Sequence, residues 1–212
     1  MKTLTTIIAV LFSVLTFAGN PAYNEAMKSA LGQFATSKSV DELQSTANSF
    51  QRISNLADQE WLPQYYQAHC YILMSFMTQD GAQRDAYLDV AESAITKVME
   101  MQPTNSETYA LQAFMYTGRL VVDPMNRGQE FSIKSHQSLK KSLAINPTNP
   151  RALYLQLTNE IGTADFFGTD SSIFCERISN LQKNWDAYNQ VDGLEPSWGK
   201  DQAQTLKANC NQ

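Results

Sequence analysis

The chain has 212 residues and a formal net charge of −5, with 21 acidic side chains against 16 basic ones. No basic block interrupts that balance, which argues against nucleic acid or an anionic membrane surface as the partner. Hydrophobic residues make up 43% of the sequence, enough to build a sizeable core in one domain.

Residues 1–18 read as a signal peptide. Lys2 precedes an apolar run through Leu4, Ile7, Ile8, Val10, Leu11, Phe12, Val14, Leu15 and Phe17, which ends at the small residues Ala18 and Gly19. Cleavage is expected after Ala18 or Gly19. A membrane anchor is the competing reading, but the run is short of the ~20 residues a spanning helix needs. No cysteine stands at the cleavage point, so a lipid anchor is not expected. The mature chain, 19–212, is thus read as one exported domain without a membrane span, in the periplasm or outside the cell.

Almost everything after residue 20 carries helical periodicity, and strand signals are absent. Helices are predicted at about 22–36, 40–56, 61–78, 83–101, 105–121, 128–145, 149–165, 171–191 and 197–210. Ser39 with Glu42 three residues on forms a capping-box pattern, and Asn105 and Asn149 suit the caps of later helices. Stripes such as Ala91, Ile95, Val98, Met99 and Ile178, Leu181, Trp185, Tyr188 give each helix one apolar face.

A short phrase then repeats. Met101-Gln102-Pro103-Thr104-Asn105 recurs 44 residues on as Ile145-Asn146-Pro147-Thr148-Asn149. Each copy separates two amphipathic helices, the punctuation expected of stacked helical hairpins. Segments 78–81, 121–128 and 166–170 fall between the helices of successive pairs and read as insertions.

These residues resemble tetratricopeptide repeats (TPR). The match is best from Pro103 through Tyr109, Ala113 and Tyr116, with Ser135, Leu139, Ser142, Leu143 and Pro147 in the second helix. Serines stand there where alanines are usual. As a whole the chain is similar to exported bacterial TPR-like proteins. The resemblance implies an all-α, right-handed TPR-like superhelix of helical hairpins with about nine helices. Its repeat units would be about 61–103, 104–147 and 148–196, closed by a capping helix at 197–210. It also implies a concave groove lined by the first helix of each pair. That register places Tyr65 and His69 in the groove, then Glu107, Ala110, Phe114 and Thr117, then Arg151, Tyr154 and Thr158.

Signatures of chemistry are missing. The two histidines, His69 and His136, have no His, Cys or Glu partner at metal-ligand spacing, and a lone helical histidine reads as structural or exposed. There is no Gly-rich phosphate loop and no nucleophile elbow. In 123–128, Met125 and Arg127 stand where a calcium loop needs oxygen ligands. Arg119 and Arg127 either clamp a carboxylate or tie their segment down. No metal, cofactor or catalytic residue is expected. Of three cysteines, Cys70 sits among Tyr66, Tyr71 and Ile72 and reads as a buried thiol. Cys175 and Cys210 lie at ends that antiparallel packing of two helices, about 24 and 20 Å long, brings together. A bridge between them and two free thiols both remain open. The expected function is non-enzymatic binding of a protein or peptide partner. The alternatives are a small-molecule or glycan-binding module using the groove aromatics, and a hydrolase whose site is built from Asp, Glu and Ser.

Overall fold

Side chains close the start of most helices by accepting the first free amides. In a computed structural model that describes residues 21–189 and 193–207, the chain runs through α1 (Pro21–Thr36), α2 (Val40–Leu56), α3 (Leu62–Met77), α4 (Gly81–Met101), α5 (Ser106–Val122), α6 (Pro124–Ile145), α7 (Pro150–Phe167), α8 (Cys175–Tyr188) and α9 (Lys200–Thr205). A single 3-10 turn, Ser172–Phe174, precedes α8. Ser39 and Glu42 form the expected capping box on α2. Asp80 accepts from the Gln83 amide, Asn105 from Thr108, Asp123 from Asn126, and Asn149 from both Arg151 and Ala152. The two copies of the repeated phrase make the same turn. The Gln102 amide donates to the Val98 carbonyl at 2.7 Å, and the Asn146 amide donates to Ser142 at 2.9 Å.

The described residues are all-α, as expected, and contain no strand. Each helix packs on the next, and the leading helices α3, α5 and α7 also touch in succession. Hairpins α3–α4, α5–α6 and α7–α8 therefore stack with their first helices side by side, in a helical-repeat arrangement. The main core gathers Phe50, Tyr65, Ile72, Met74, Leu88 and Leu111 from α2 to α5. A second core forms around Leu157, Ile178, Leu181 and Trp185. Each large side chain so buried contributes roughly 1.5–3 kcal/mol.

Two expectations need correction. The segment 121–128 is not an inserted loop, because α5 and α6 are separated by Asp123 alone. Asp123 caps α6 and Pro124 occupies its first turn, where proline's fixed φ and missing N–H cost nothing. The extra residues lengthen helices instead, giving 21 residues in α4 and 22 in α6. The last helix is also short, six residues rather than the expected fourteen or so, since the chain is extended at Leu206. The expected signal peptide and Cys210 lie outside the described residues.

The α5–α6 interface explains the serines. Ser142 Oγ donates to the Ser106 carbonyl at 2.8 Å, Ser106 Oγ to the Ser142 carbonyl at 2.9 Å, and Ser135 Oγ to the Ala113 carbonyl at 3.1 Å. Small hydroxylated residues let the two helices approach closely while pairing their own polar atoms. Asn149 joins this network from the next turn: fully buried, it donates to Ser106 Oγ at 2.9 Å and to Glu107 Oε1 at 2.7 Å.

The two repeat asparagines should consequently differ in worth. Asn105→Ala removes a cap and costs about 1 kcal/mol. Asn149→Ala also strands buried partners and costs about 2–3 kcal/mol. Urea unfolding of both variants compares them directly, and equal losses would contradict the network.

Candidate functional site

The first helices do line up as the sequence implied, but their inward face is filled by the chain itself. Segment 194–198 returns across α3 and α5. Tyr66 Oη donates to the Leu194 carbonyl at 3.0 Å, and Trp198 Nε1 donates to Tyr65 Oη at 2.8 Å. The Trp198 indole stacks on Phe114, with centroids 5.6 Å apart and planes 23° from parallel, and Phe114 stacks on Phe76 at 5.1 Å. His69 lies 4.9 Å from Trp198 and 5.0 Å from Phe34. Tyr65 and His69 are buried and Phe114 is half-buried. Residues expected to line an open groove are thus packed against an internal lid of their own chain. Inward aromatics satisfy a core as readily as a binding surface, and a distant segment supplied the opposite face.

The polar members of the expected groove are paired as well. Arg151 spans Glu107 through Nε and Nη2, the latter at 2.7 Å, while its Nη1 donates to Asn189 Oδ1 at 2.7 Å. Both partners are largely shielded, so the pair ties α5 to α7 and to the end of α8. Tyr154 is half-buried between two cores, and Thr158 Oγ1 donates to the Tyr154 carbonyl at 2.9 Å. A polar hollow of about 340 Å³ near the repeated turns is lined by the same Glu107 and Arg151. Arg119 and Arg127 do clamp a carboxylate, and it is the chain's own Asp85. Arg127 reaches Asp85 at 2.8 and 2.9 Å and Arg119 at 3.0 Å, which holds the Asp85 carboxyl below its ordinary range.

A larger concavity lies on the opposite face of α7. It measures about 620 Å³ and runs between α6, α7 and the 3-10 turn. From α6 come Ile133, His136 and Leu139, from α7 come Thr163 and Ala164, and from the turn come Ile173 and Phe174. The local sequence dictates this wall. Gly168 takes the left-handed conformation at φ +63° and ends α7, as glycine does without steric cost. Asp170 then accepts from the Ser172 amide at 2.8 Å and the Ser172 hydroxyl at 2.6 Å, which lowers its carboxyl from the ordinary value and fixes the turn. That turn presents Ile173 and Phe174 across from α6.

Apolar surface is exposed around this cleft. Ile133 is 50% exposed and Ile173 70%, and Phe167, one turn beyond Thr163 on α7, is 71% exposed beside Phe166. Clustered exposed apolar groups mark binding surfaces. Glu160 closes one side, paired with Arg177, whose guanidinium sits 5.9 Å from the Phe174 ring centroid. His136 and Ile133 were not among the expected site residues. Their one sequence signal is that Ile133 falls off the buried stripe of Ser135, Leu139 and Ser142 on α6.

Among the described residues, no group of three or more His, Cys, Asp or Glu side chains is placed to hold a metal ion, and no helix is long and apolar enough to cross a membrane. Cys70 is free and buried, and burial raises its thiol pKa far above the ordinary value. Cys175 is disulfide-bonded; Cys210, for which the sequence left a bridge to Cys175 and a free thiol both open, lies outside the described residues.

The described residues form a helical-repeat arrangement with an exposed apolar cleft beside α6. No family model and no curated protein matches the chain. Among solved structures it is similar to the HusA haemophore from Porphyromonas gingivalis, with 27% identity and a TM-score of 0.76, over 87% of this chain and 90% of that one.

His69 gives a check on the closed inner face. Burial first, and the Arg151 charge second, lower its pKa from the ordinary 6.5 to about 3. Unfolding therefore takes up a proton between those two values, and stability falls as pH falls from 6.5 toward 3. His69→Gln should flatten the stability profile between about pH 6 and pH 4 by up to about 1.4 kcal/mol per pH unit. Parallel profiles for the two proteins would mean that His69 is open to solvent.

Proposed function

We propose that the chain is an exported haem-binding protein that carries a porphyrin-class ligand in the cleft between α6 and α7. The observation that carries this reading is the similarity to a haemophore along nearly the whole of both chains. Haem is cargo in this reading and not a resident cofactor, and no reaction is needed.

The cleft suits such a ligand. Its volume of about 620 Å³ lies within the roughly 300–1,000 Å³ of small-molecule sites. A tetrapyrrole is a flat ring with two broad apolar faces and a polar edge. Ile133 and Leu139 on one side and Ile173 and Phe174 on the other supply apolar walls, and Gln137, Gln156 and Asn159 supply a polar margin. Exposed apolar side chains at this position are otherwise unfavourable, and covering them with an apolar ring removes that cost. The predicted leader at 1–18 supports export. The small-molecule alternative raised by the sequence gains from these features, with a different set of side chains from the groove aromatics. A protein or peptide partner has lost the trough proposed for it, because 194–198 fills that space.

Absorbance titration with haemin tests the proposal. The protein should show a saturable, one-to-one change in the porphyrin absorption band. Ile133→Glu, an exposed change that leaves the core intact, should weaken binding at least about tenfold, equivalent to about 1.4 kcal/mol. Absence of saturable binding by the unmodified protein would sink the function. Unchanged affinity in Ile133→Glu would remove the ligand from this cleft.

A further inference from the structure

We infer that the polar hollow between the two repeated turns and the end of α8 is a second binding site, and that its ligand is a neutral sugar ring. The hollow shares no lining residue with the α6–α7 cleft, and this role does not depend on the porphyrin reading.

The sequence repeat builds the hollow. The first copy and the start of α5 supply one wall, the second copy and the start of α7 another, and Tyr188, Asn189 and Glu195 the third. Its volume of about 340 Å³ falls within the roughly 300–1,000 Å³ of small-molecule sites. Local hydrogen bonds decide which polar atoms are left over. The side-chain oxygen of Asn105 accepts from the Thr108 amide at 3.2 Å, that of Asn146 from the Thr148 amide at 3.1 Å, and that of Asn189 from Arg151 at 2.7 Å. An oxygen held by a donor fixes the orientation of its amide, so each of these side chains keeps its NH2 group as a donor. Among the described residues nothing accepts from those three groups. Arg151, 4% exposed, donates once from each nitrogen, to Glu107 and Asn189, and each terminal nitrogen retains a second N–H.

Charge selects the ligand. Leftover donors call for a molecule rich in accepting oxygens. An anion would suit them and the positive ends of α5 and α7, but Glu107 and Glu195 stand in the same walls and Glu107 already neutralises the one guanidinium. A cation has no use for a cluster of donors, and an apolar molecule would strand them without partners. A neutral polyhydroxylated ring brings accepting oxygens for the donors, hydroxyl protons for Glu195 and an apolar face for an aromatic side chain. Tyr188, half-buried against the second core and lining the hollow, supplies that aromatic ring.

Amide chemical-shift titration of the whole protein with the methyl glycosides of glucose, galactose and mannose tests the site. Glucuronate and glucosamine serve as anionic and cationic counterparts at neutral pH. At least one neutral glycoside should give saturable shifts centred on Thr104, Asn146 and Asn189. Asn189→Asp keeps the oxygen that accepts from Arg151 and removes the NH2 donor, so affinity for that glycoside should fall at least about tenfold with the thermal melt retained. Tyr188→Leu keeps an apolar contact with the core and removes the ring, and should lose at least about fivefold. If none of the three neutral glycosides saturates, the site fails. Tighter binding of glucuronate or glucosamine than of every neutral glycoside overturns the ligand class. Unchanged affinity in both variants places the sugar elsewhere and overturns the inference.

Discussion

Trp198 is the constraint around which the molecule closes. Three leading helices laid side by side leave a trough, and a trough lined with Tyr65, His69 and Phe114 cannot stay open to water without cost. The indole enters it, stacks on Phe114, and satisfies its N–H on the Tyr65 hydroxyl. Aromatic pairs of this kind are worth about 0.5–1.5 kcal/mol beyond the area they cover. The Glu107–Arg151 pair secures the same seam further along, where breaking one partner of a shielded ion pair is far costlier than replacing both. What would be a binding surface in an open array is here the second half of the core.

That closure decides where function can reside. The charged residues that sequence inspection singles out are spent inside the protein: Arg151 on Glu107 and Asn189, Arg119 and Arg127 on Asp85. The cleft beside α6 differs, because it keeps apolar side chains in contact with solvent and one imidazole among them. That composition is the basis on which the proposed reading prefers a flat, largely apolar ligand to an extended peptide, whose backbone would need paired donors and acceptors.

Local chemistry was legible in the sequence and long-range closure was not. Ser39, Asn105 and Asn149 announce helix starts because capping is settled within three residues, and each caps as read. The Asp123-Pro124 pair carries an equally local message, a helix beginning at once, which the repeat spacing obscured by suggesting an insertion. The contact between Trp198 and Tyr65 crosses 133 positions. No periodicity records it, so the groove aromatics could not be told from core residues. The cleft has the same difficulty. Ile133 and His136 look like ordinary surface until the 169–174 segment is known to lie opposite them.

The lone residue between α5 and α6 has a mechanical consequence. Asp123 ends one rod of 17 residues and starts another of 22, an elbow without slack, and the serine bonds weld the two rods along their length. The α6 wall of the cleft therefore inherits the stiffness of the core and cannot swing outward by itself. The facing segment beyond Gly168 is anchored too, by the Asp170 turn, by Phe174 packed against the second core and by the Glu160–Arg177 pair just after it. Both jaws of the clamp are therefore tied to packed cores, so the width of the gap between them is set by the fold.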